Sequence, residues 1–185
     1  MPIIRTTLIE GYHDDTRQKL ATRLTDAVRA TIAAPLEAIT VTIEEVKPTS
    51  YMRGRTARAP GRPLASGADL VRDFLRAMEG RDLDRAKTFL AEDFQMTFPG
   101  GACFKTLEEL VTWAKTRYRF VRKTYRALDE CFGETGMVVY CHGTLSGEWP
   151  DGTAFDNIRF IDRFEFDDGK LIRQDVWNDL AESMR

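Results

Sequence analysis

Arg58-Ala59-Pro60-Gly61-Arg62-Pro63-Leu64-Ala65-Ser66-Gly67 cuts this chain in two. Its prolines fix φ and withdraw backbone donors and its glycines favour irregular backbone, so no helix or strand runs through it and 58–66 reads as a linker. Upstream, Ile3–Ile9 reads as a strand ended by Glu10-Gly11. Asp14-Asp15-Thr16 supply start signals for a helix over Asp15–Ile32, with Leu20, Leu24, Ala27, Val28 and Ala30 at helical spacing. Pro35 breaks the pattern before a second strand, Ile39–Val46, and strand, helix and strand make a βαβ unit whose two strands are parallel. Downstream, Ala68–Met78, Leu83–Leu90 and Leu107–Tyr118 read as helices, with a short strand near Phe94–Phe98. Four long strands follow, Val121–Phe132, Met137–Glu148, Phe155–Phe166 and Leu171–Asn178, separated by Gly- and Asp-rich turns. The fold class is α+β: a βαβ unit over 1–57, then helices under a curved antiparallel sheet over 67–185.

The chain has 185 residues, 43% hydrophobic and 30% charged, with a net charge of -2. Acidic and basic residues are interspersed, so nothing suggests a nucleic-acid or anionic-membrane surface. The densest basic stretch, Arg53 to Arg62, is broken by Gly and Pro and reads as solvated linker. No apolar run reaches the ~18 residues of a membrane span, and the N-terminus lacks a basic segment before an apolar one, so a cytoplasmic location is expected. Cys103, Cys131 and Cys141 have neither disulfide arithmetic nor metal-ligand spacing, and no metal or organic cofactor is implied.

Met1-Pro2-Ile3-Ile4 carries chemistry of its own. Removal of Met1 would leave Pro2 as a secondary amine, a general base when a buried, cation-flanked site keeps it neutral. Together with Leu8-Ile9-Glu10-Gly11, Ala34-Pro35-Leu36 and Val41-Thr42-Ile43-Glu44-Glu45, this opening resembles the 4-oxalocrotonate tautomerase superfamily over residues 2–57. The resemblance implies that Pro2 moves a proton between carbon and oxygen of an enol or keto acid, in a trimer or hexamer. The family's two substrate-binding arginines fall here on Tyr12 and Thr40, while its aromatic wall is kept as Tyr51. Without that bidentate grip a simple diacid substrate is disfavoured. Arg5, Arg53 or Arg55 could replace the arginines, and Tyr12 and Tyr51 suit a neutral, enolic or phenolic substrate. About 57 residues with one helix on two strands bury too little apolar surface alone, so a homo-oligomer is expected.

Phe74-Leu75-Arg76-Ala77-Met78-Glu79-Gly80-Arg81-Asp82-Leu83-Asp84 and Arg163-Phe164-Glu165-Phe166-Asp167-Asp168-Gly169-Lys170-Leu171-Ile172-Arg173 resemble the cone fold of nuclear transport factor 2, ketosteroid isomerase, scytalone dehydratase and SnoaL-type polyketide cyclases. Set against ketosteroid isomerase, the general-base aspartate falls on Phe98 and the oxyanion-hole tyrosine on Phe74, while the protonated acid of the penultimate strand is retained as Asp162. If Asp168-Gly169 forms a two-residue turn, an unbroken ladder places Phe164 opposite Arg173, Asp162 opposite Asp175 and Phe160 opposite Trp177, all on one face. Two opposed carboxylates under aromatic cover share one proton. The alternative is a one-residue slip in the hairpin, with Arg173 neutralising an aspartate. His142 is either a shuttle in the same pocket or a structural histidine.

These features predict a small-molecule isomerase, tautomerase or cyclase acting on an enolisable carbonyl compound. Pro2, Asp162 and Asp175 are the expected catalytic residues, and Tyr12, Tyr51, Arg53, Phe74, Phe98, His142, Phe160, Phe164 and Trp177 the expected substrate contacts. Two alternatives stay open: a non-catalytic oligomeric protein that binds a hydrophobic ligand, and a dehydratase or cyclase with chemistry only in the C-terminal half.

Overall fold

A computed structural model describes residues 1–134 and 136–183, which divide into two compact units, Met1–Pro63 and Leu64–Arg185. In the first, β1 (Ile3–Ile9) and β2 (Thr40–Val46) pair in parallel from Ile3 opposite Thr40 to Ile9 opposite Val46, and α1 (Asp14–Thr31) connects them. An ion pair from Arg17 of α1 to Glu45 of β2 ties helix to sheet. A short hairpin, β3 (Met52–Arg53) with β4 (Thr56–Ala57), lies in the basic stretch expected to be solvated linker. Gly54 and Arg55 both take positive φ there, the conformation a two-residue turn requires. Every residue of this unit is at least partly exposed, and Ile3, Ile32 and Leu36 are each at least half exposed.

The second unit contains α2 (Gly67–Glu79), α3 (Leu83–Lys87), β5 (Leu90–Phe98), β6 (Ala102–Phe104), α4 (Leu107–Ala114), β7 (Phe120–Phe132), β8 (Met137–Glu148), β9 (Ala154–Asp167), β10 (Lys170–Asn178) and α5 (Leu180–Ser183). Six strands form one sheet in the order β6-β5-β10-β9-β8-β7, in which only the β5–β10 pair is parallel. Ser66 caps α2, and the Glu130 carboxylate accepts hydrogen bonds from Ser66 Oγ (2.6 Å) and the Ala68 amide (2.9 Å), anchoring the helix start to β7. A reciprocal Thr106–Glu109 box caps α4. Phe74 of α2 is fully buried, and its ring meets those of Phe89, Phe94 and Phe164 edge-on at 6.4, 6.4 and 6.2 Å.

Two helices are shorter than their apolar patterns suggest. The third stops at Ala114 rather than Tyr118: the Thr116 hydroxyl donates to Trp113 O (3.0 Å), and the Arg119 amide is already committed to Glu148 O (2.8 Å) in β8. The second stops at Lys87 because sheet pairing begins just beyond it, with the Leu171 amide donating to Phe89 O (2.9 Å) and Leu90 starting β5.

The sheet curls most sharply where β7 crosses β8. β7 carries a bulge between Tyr125 and Ala127, opposite Gly143 and His142. A Cβ on Gly143 would stand 2.0 Å from Thr124 O, and one on Gly147 would stand 2.2 Å from Phe120 O. Both glycines are therefore required by the close approach of β7. Gly143→Ala should destabilise the protein by about 2–4 kcal/mol. Gly169→Ala, where only a positive φ opposes the new methyl, should cost about 1 kcal/mol. Urea unfolding of both variants against wild type checks the ranking.

Candidate functional site

The Asp168-Gly169 turn forms as expected, with positive φ at both residues and Asp167 opposite Lys170. The ladder then breaks. A bulge between Leu171 and Arg173 shifts β10 by one residue, so Gln174 faces Phe164, Asp175 faces Arg163, Val176 faces Asp162 and Trp177 faces Ile161. The expected Asp162–Asp175 pair is absent: Asp162 points to the concave face and Asp175 to the convex one. The physical reason is charge. An unbroken ladder would turn Arg173 and both aspartates into the apolar cavity; the bulge turns Gln174 and Val176 inward instead, leaves Arg173 exposed, and keeps the still-buried Asp175 beside its arginine partners. On the convex face Arg173 Nε donates to both Asp175 oxygens (3.0 and 2.9 Å), and Arg163 adds an ion pair to Asp175 at 3.6 Å.

A cavity of about 440 Å³ opens on the concave face. Phe74 and Leu75 of α2, Phe98 of β5, Leu110 and Trp113 of α4, and Leu145 and Phe160 of the sheet give it an apolar wall. Inward alternation along β7 adds Val121, Lys123 and Tyr125, and β10 adds Gln174, Val176 and Asn178. Asp162 is completely buried at this wall. Its Oδ2 accepts from Lys123 Nζ and from Gln174 Nε2 (3.3 Å), and its Oδ1 has no hydrogen-bond partner among the described residues. Lys123 Nζ also sits 4.5 Å from the centre of the Phe160 ring.

Burial raises the Asp162 carboxyl above the ordinary 3.8, a shift that the neighbouring Lys123 cation and the Gln174 amide partly offset. Burial likewise raises the phenols of Tyr118 and Tyr125, and pushes the Cys141 thiol up to about 12. The cavity thus combines a buried carboxylate with one free oxygen, an adjacent ammonium group and two phenols that stay protonated. Such a set can accept a proton from carbon and stabilise the oxyanion that results.

Of the expected contacts, Phe74, Phe98 and Phe160 line this cavity, while Phe164 lies behind it in the core. Trp177 is half exposed on the convex face, because the bulge turns it away. His142 is outside the cavity too: it pairs with Ile161, one residue out of phase with the inward Cys141–Asp162 pair. In the N-terminal unit the Thr40 amide donates to Pro2 O (3.1 Å), which sets Pro2 at the head of the parallel ladder. With Met1 attached the Pro2 nitrogen is an amide. Tyr12 is half-buried beside Gly61, Tyr51 is exposed, and Arg53 is exposed on the β3–β4 hairpin. No hydrogen bond joins the side chains of Tyr12, Tyr51 and Arg53 to one another. Lys123 and Gln174 escaped the sequence reading, although a lysine between Val121 and Tyr125 on the apolar phase of a strand was a visible signal.

Residues 71–174 match the SnoaL-like domain, and residues 2–57 match the tautomerase enzyme family. A probable tautomerase of Staphylococcus aureus is 45% identical over 51 residues, 28% of this chain and 84% of the relative. One from Staphylococcus epidermidis is 44% identical over 54 residues, covering 29% and 88%. The chain belongs to both families. Its SnoaL-like unit shares the fold of a nuclear transport factor 2-like protein of unknown function from Burkholderia pseudomallei (TM-score 0.56, 22% identity, 65% of this chain and 97% of that one). It is similar in the same way to TerC, crystallised with polyporic acid (TM-score 0.54, 18% identity, 62% and 92%).

Since the Asp162 value is raised on folding, the folded state holds this proton more tightly than the unfolded chain. Its stabilisation is full below the unfolded value near 3.8 and is lost as pH rises through the folded value. The stability of wild type relative to Asp162→Asn should therefore fall across that window. Lys123→Met should move the window to higher pH and destabilise the protein by about 3–5 kcal/mol at neutral pH, as a buried pair loses one partner. Denaturant unfolding of the three proteins as a function of pH measures both effects.

Proposed function

We propose that the SnoaL-like cavity isomerises or cyclises an enolisable carbonyl compound, with Asp162 as the base. The observation that carries this reading is the wholly buried Oδ1 of Asp162, a residue that lines the cavity; this oxygen has no partner among the described residues. A buried acceptor left open costs stability, and a substrate C–H in reach of it gives the cost a purpose. Oδ1 takes the proton α to the carbonyl, and the electron pair moves onto the carbonyl oxygen as an enolate. Lys123, with Tyr118 or Tyr125 as a hydrogen-bond donor, stabilises that charge. The proton then returns at another carbon, or the enolate attacks a second carbonyl and closes a ring.

Pro2 supplies a second proton-transfer site in this proposal, once Met1 is removed. Support comes from the family match at residues 2–57 and from the position of Pro2 at the head of the β1–β2 ladder. The unit is completed by self-association, as a trimer or hexamer, because no residue of it is fully buried within the single chain.

Exchange of α-protons for deuterium in β-dicarbonyl compounds and aryl ketones, followed by NMR, tests the chemistry. Asp162→Asn should lower exchange at the cavity by about 10²–10⁴-fold with the fold intact. Pro2→Ala should remove a separate fraction, and intact mass should show Met1 absent. Unchanged exchange in both variants would favour the reading of the chain as a binding protein. For the assembly, light scattering at micromolar concentration should give a multiple of the 21.1 kDa chain; a stable monomer contradicts it.

A further inference from the structure

The mouth of the cavity has an uncompensated charge. Five cationic side chains line the cavity, Arg81, Arg117, Arg119, Arg122 and Lys123, against the carboxylates Glu79 and Asp162. Lys123 is matched by Asp162, Arg122 by Glu79 at 3.9 Å, and Arg119 by Glu148 at 2.5 Å. Arg81 and Arg117 pair with no carboxylate among the described residues, in a chain whose net charge is negative. The Arg117 guanidinium carbon sits 4.5 Å from the centre of the Trp113 ring, a cation–π contact that holds the group at the wall instead of leaving it loose in solvent.

Arg81 is held against backbone preference. It follows α2 with φ 57°, and the Arg81 amide to Met78 O (3.2 Å) and Asp82 amide to Ala77 O (2.9 Å) bonds close the helix end around it. Glycine or asparagine usually fills that left-handed position. Gly80 stands one residue too early to do so, and an arginine occupies the place beside the cavity. Tyr118, whose phenol burial keeps protonated, lines the same cavity.

We infer that the ligand of this cavity is an aromatic acid: an apolar ring system against Phe74, Phe98 and Trp113, with its anionic group held at the mouth by Arg81 and Arg117. This rests on the reading of the cavity as the substrate site. It adds a polarity to it, since the anion stays outside and the reacting carbon is delivered inward to Asp162. Planar guanidinium groups grip a carboxylate or sulfonate in two-point fashion, and the apolar wall contributes the rest of the affinity.

Two fluorescent probes with the same aromatic frame separate these contributions: 1-anilinonaphthalene-8-sulfonate, an anion, and N-phenyl-1-naphthylamine, which is neutral. Each is titrated into full-length wild type, the Arg81→Gln/Arg117→Gln double variant and Val121→Trp, which fills the cavity. Asn178→Trp replaces the last if circular dichroism shows that it does not fold. Wild type should bind the anion on the order of tenfold more tightly than the neutral probe. The double variant should lose that preference while its affinity for the neutral probe stays within about twofold, and the filled variant should lose both probes. Equal binding of the two probes by wild type, or a preference that survives the double substitution, overturns the inference and leaves the cavity reading standing. Retention of both probes by the filled variants places them elsewhere and overturns both.

Discussion

A carboxylate with no access to water has to be answered by charge, and in the C-terminal unit the answer comes from two strands away. Asp162 lies on β9 and Lys123 on β7, with β8 between them. For the ammonium group to reach across, β7 must fold inward over β8. That fold demands the bulge beyond Tyr125 and the missing side chains at Gly143 and Gly147. The curvature that closes the pair also encloses the cavity. Sheet geometry, electrostatic compensation and the cavity are thus one constraint seen at three scales.

The sequence was most informative where periodicity is simple and least where one residue breaks it. β1 and the strand Met137–Glu148 are legible to the residue, because apolar alternation and flanking turn residues agree there. The parallel pairing of β1 and β2 follows from the intervening helix. The last hairpin shows the limit. Asp168-Gly169 fixes the turn, but the bulge after Leu171 has no glycine to mark it, and one extra residue exchanges the two faces of everything that follows. Asp175 and Trp177 leave the site for that reason alone, while Asp162, on the uninterrupted strand, keeps its place. Lys123 was hidden for a different reason. A lysine on an inward phase conflicts with the expectation that charge faces solvent, and only the distant aspartate resolves the conflict.

The two units illustrate opposite ways of handling apolar surface. The C-terminal unit closes on itself, with Phe74, Phe164, Met96 and Leu171 essentially without solvent contact. It then reopens its interior at one place, where polar groups are gathered. The N-terminal unit leaves every apolar residue at least partly exposed within the chain, and keeps its candidate chemistry at the chain's end, where Pro2 begins the ladder. In the first, the candidate site is made by topology; in the second, the proposed site would be made by processing and association.

That contrast has a consequence for how the protein behaves on dilution. A unit without a core of its own, if completed by other copies as proposed, would draw its stability from mass action, whereas a unit with its own core does not. As concentration falls, the N-terminal half of each molecule would lose order while the C-terminal half, with its cavity intact, stays folded. If both proposed sites work, expression level would set their ratio: a dilute population would work through Asp162 alone, and a concentrated one through Asp162 and Pro2 together.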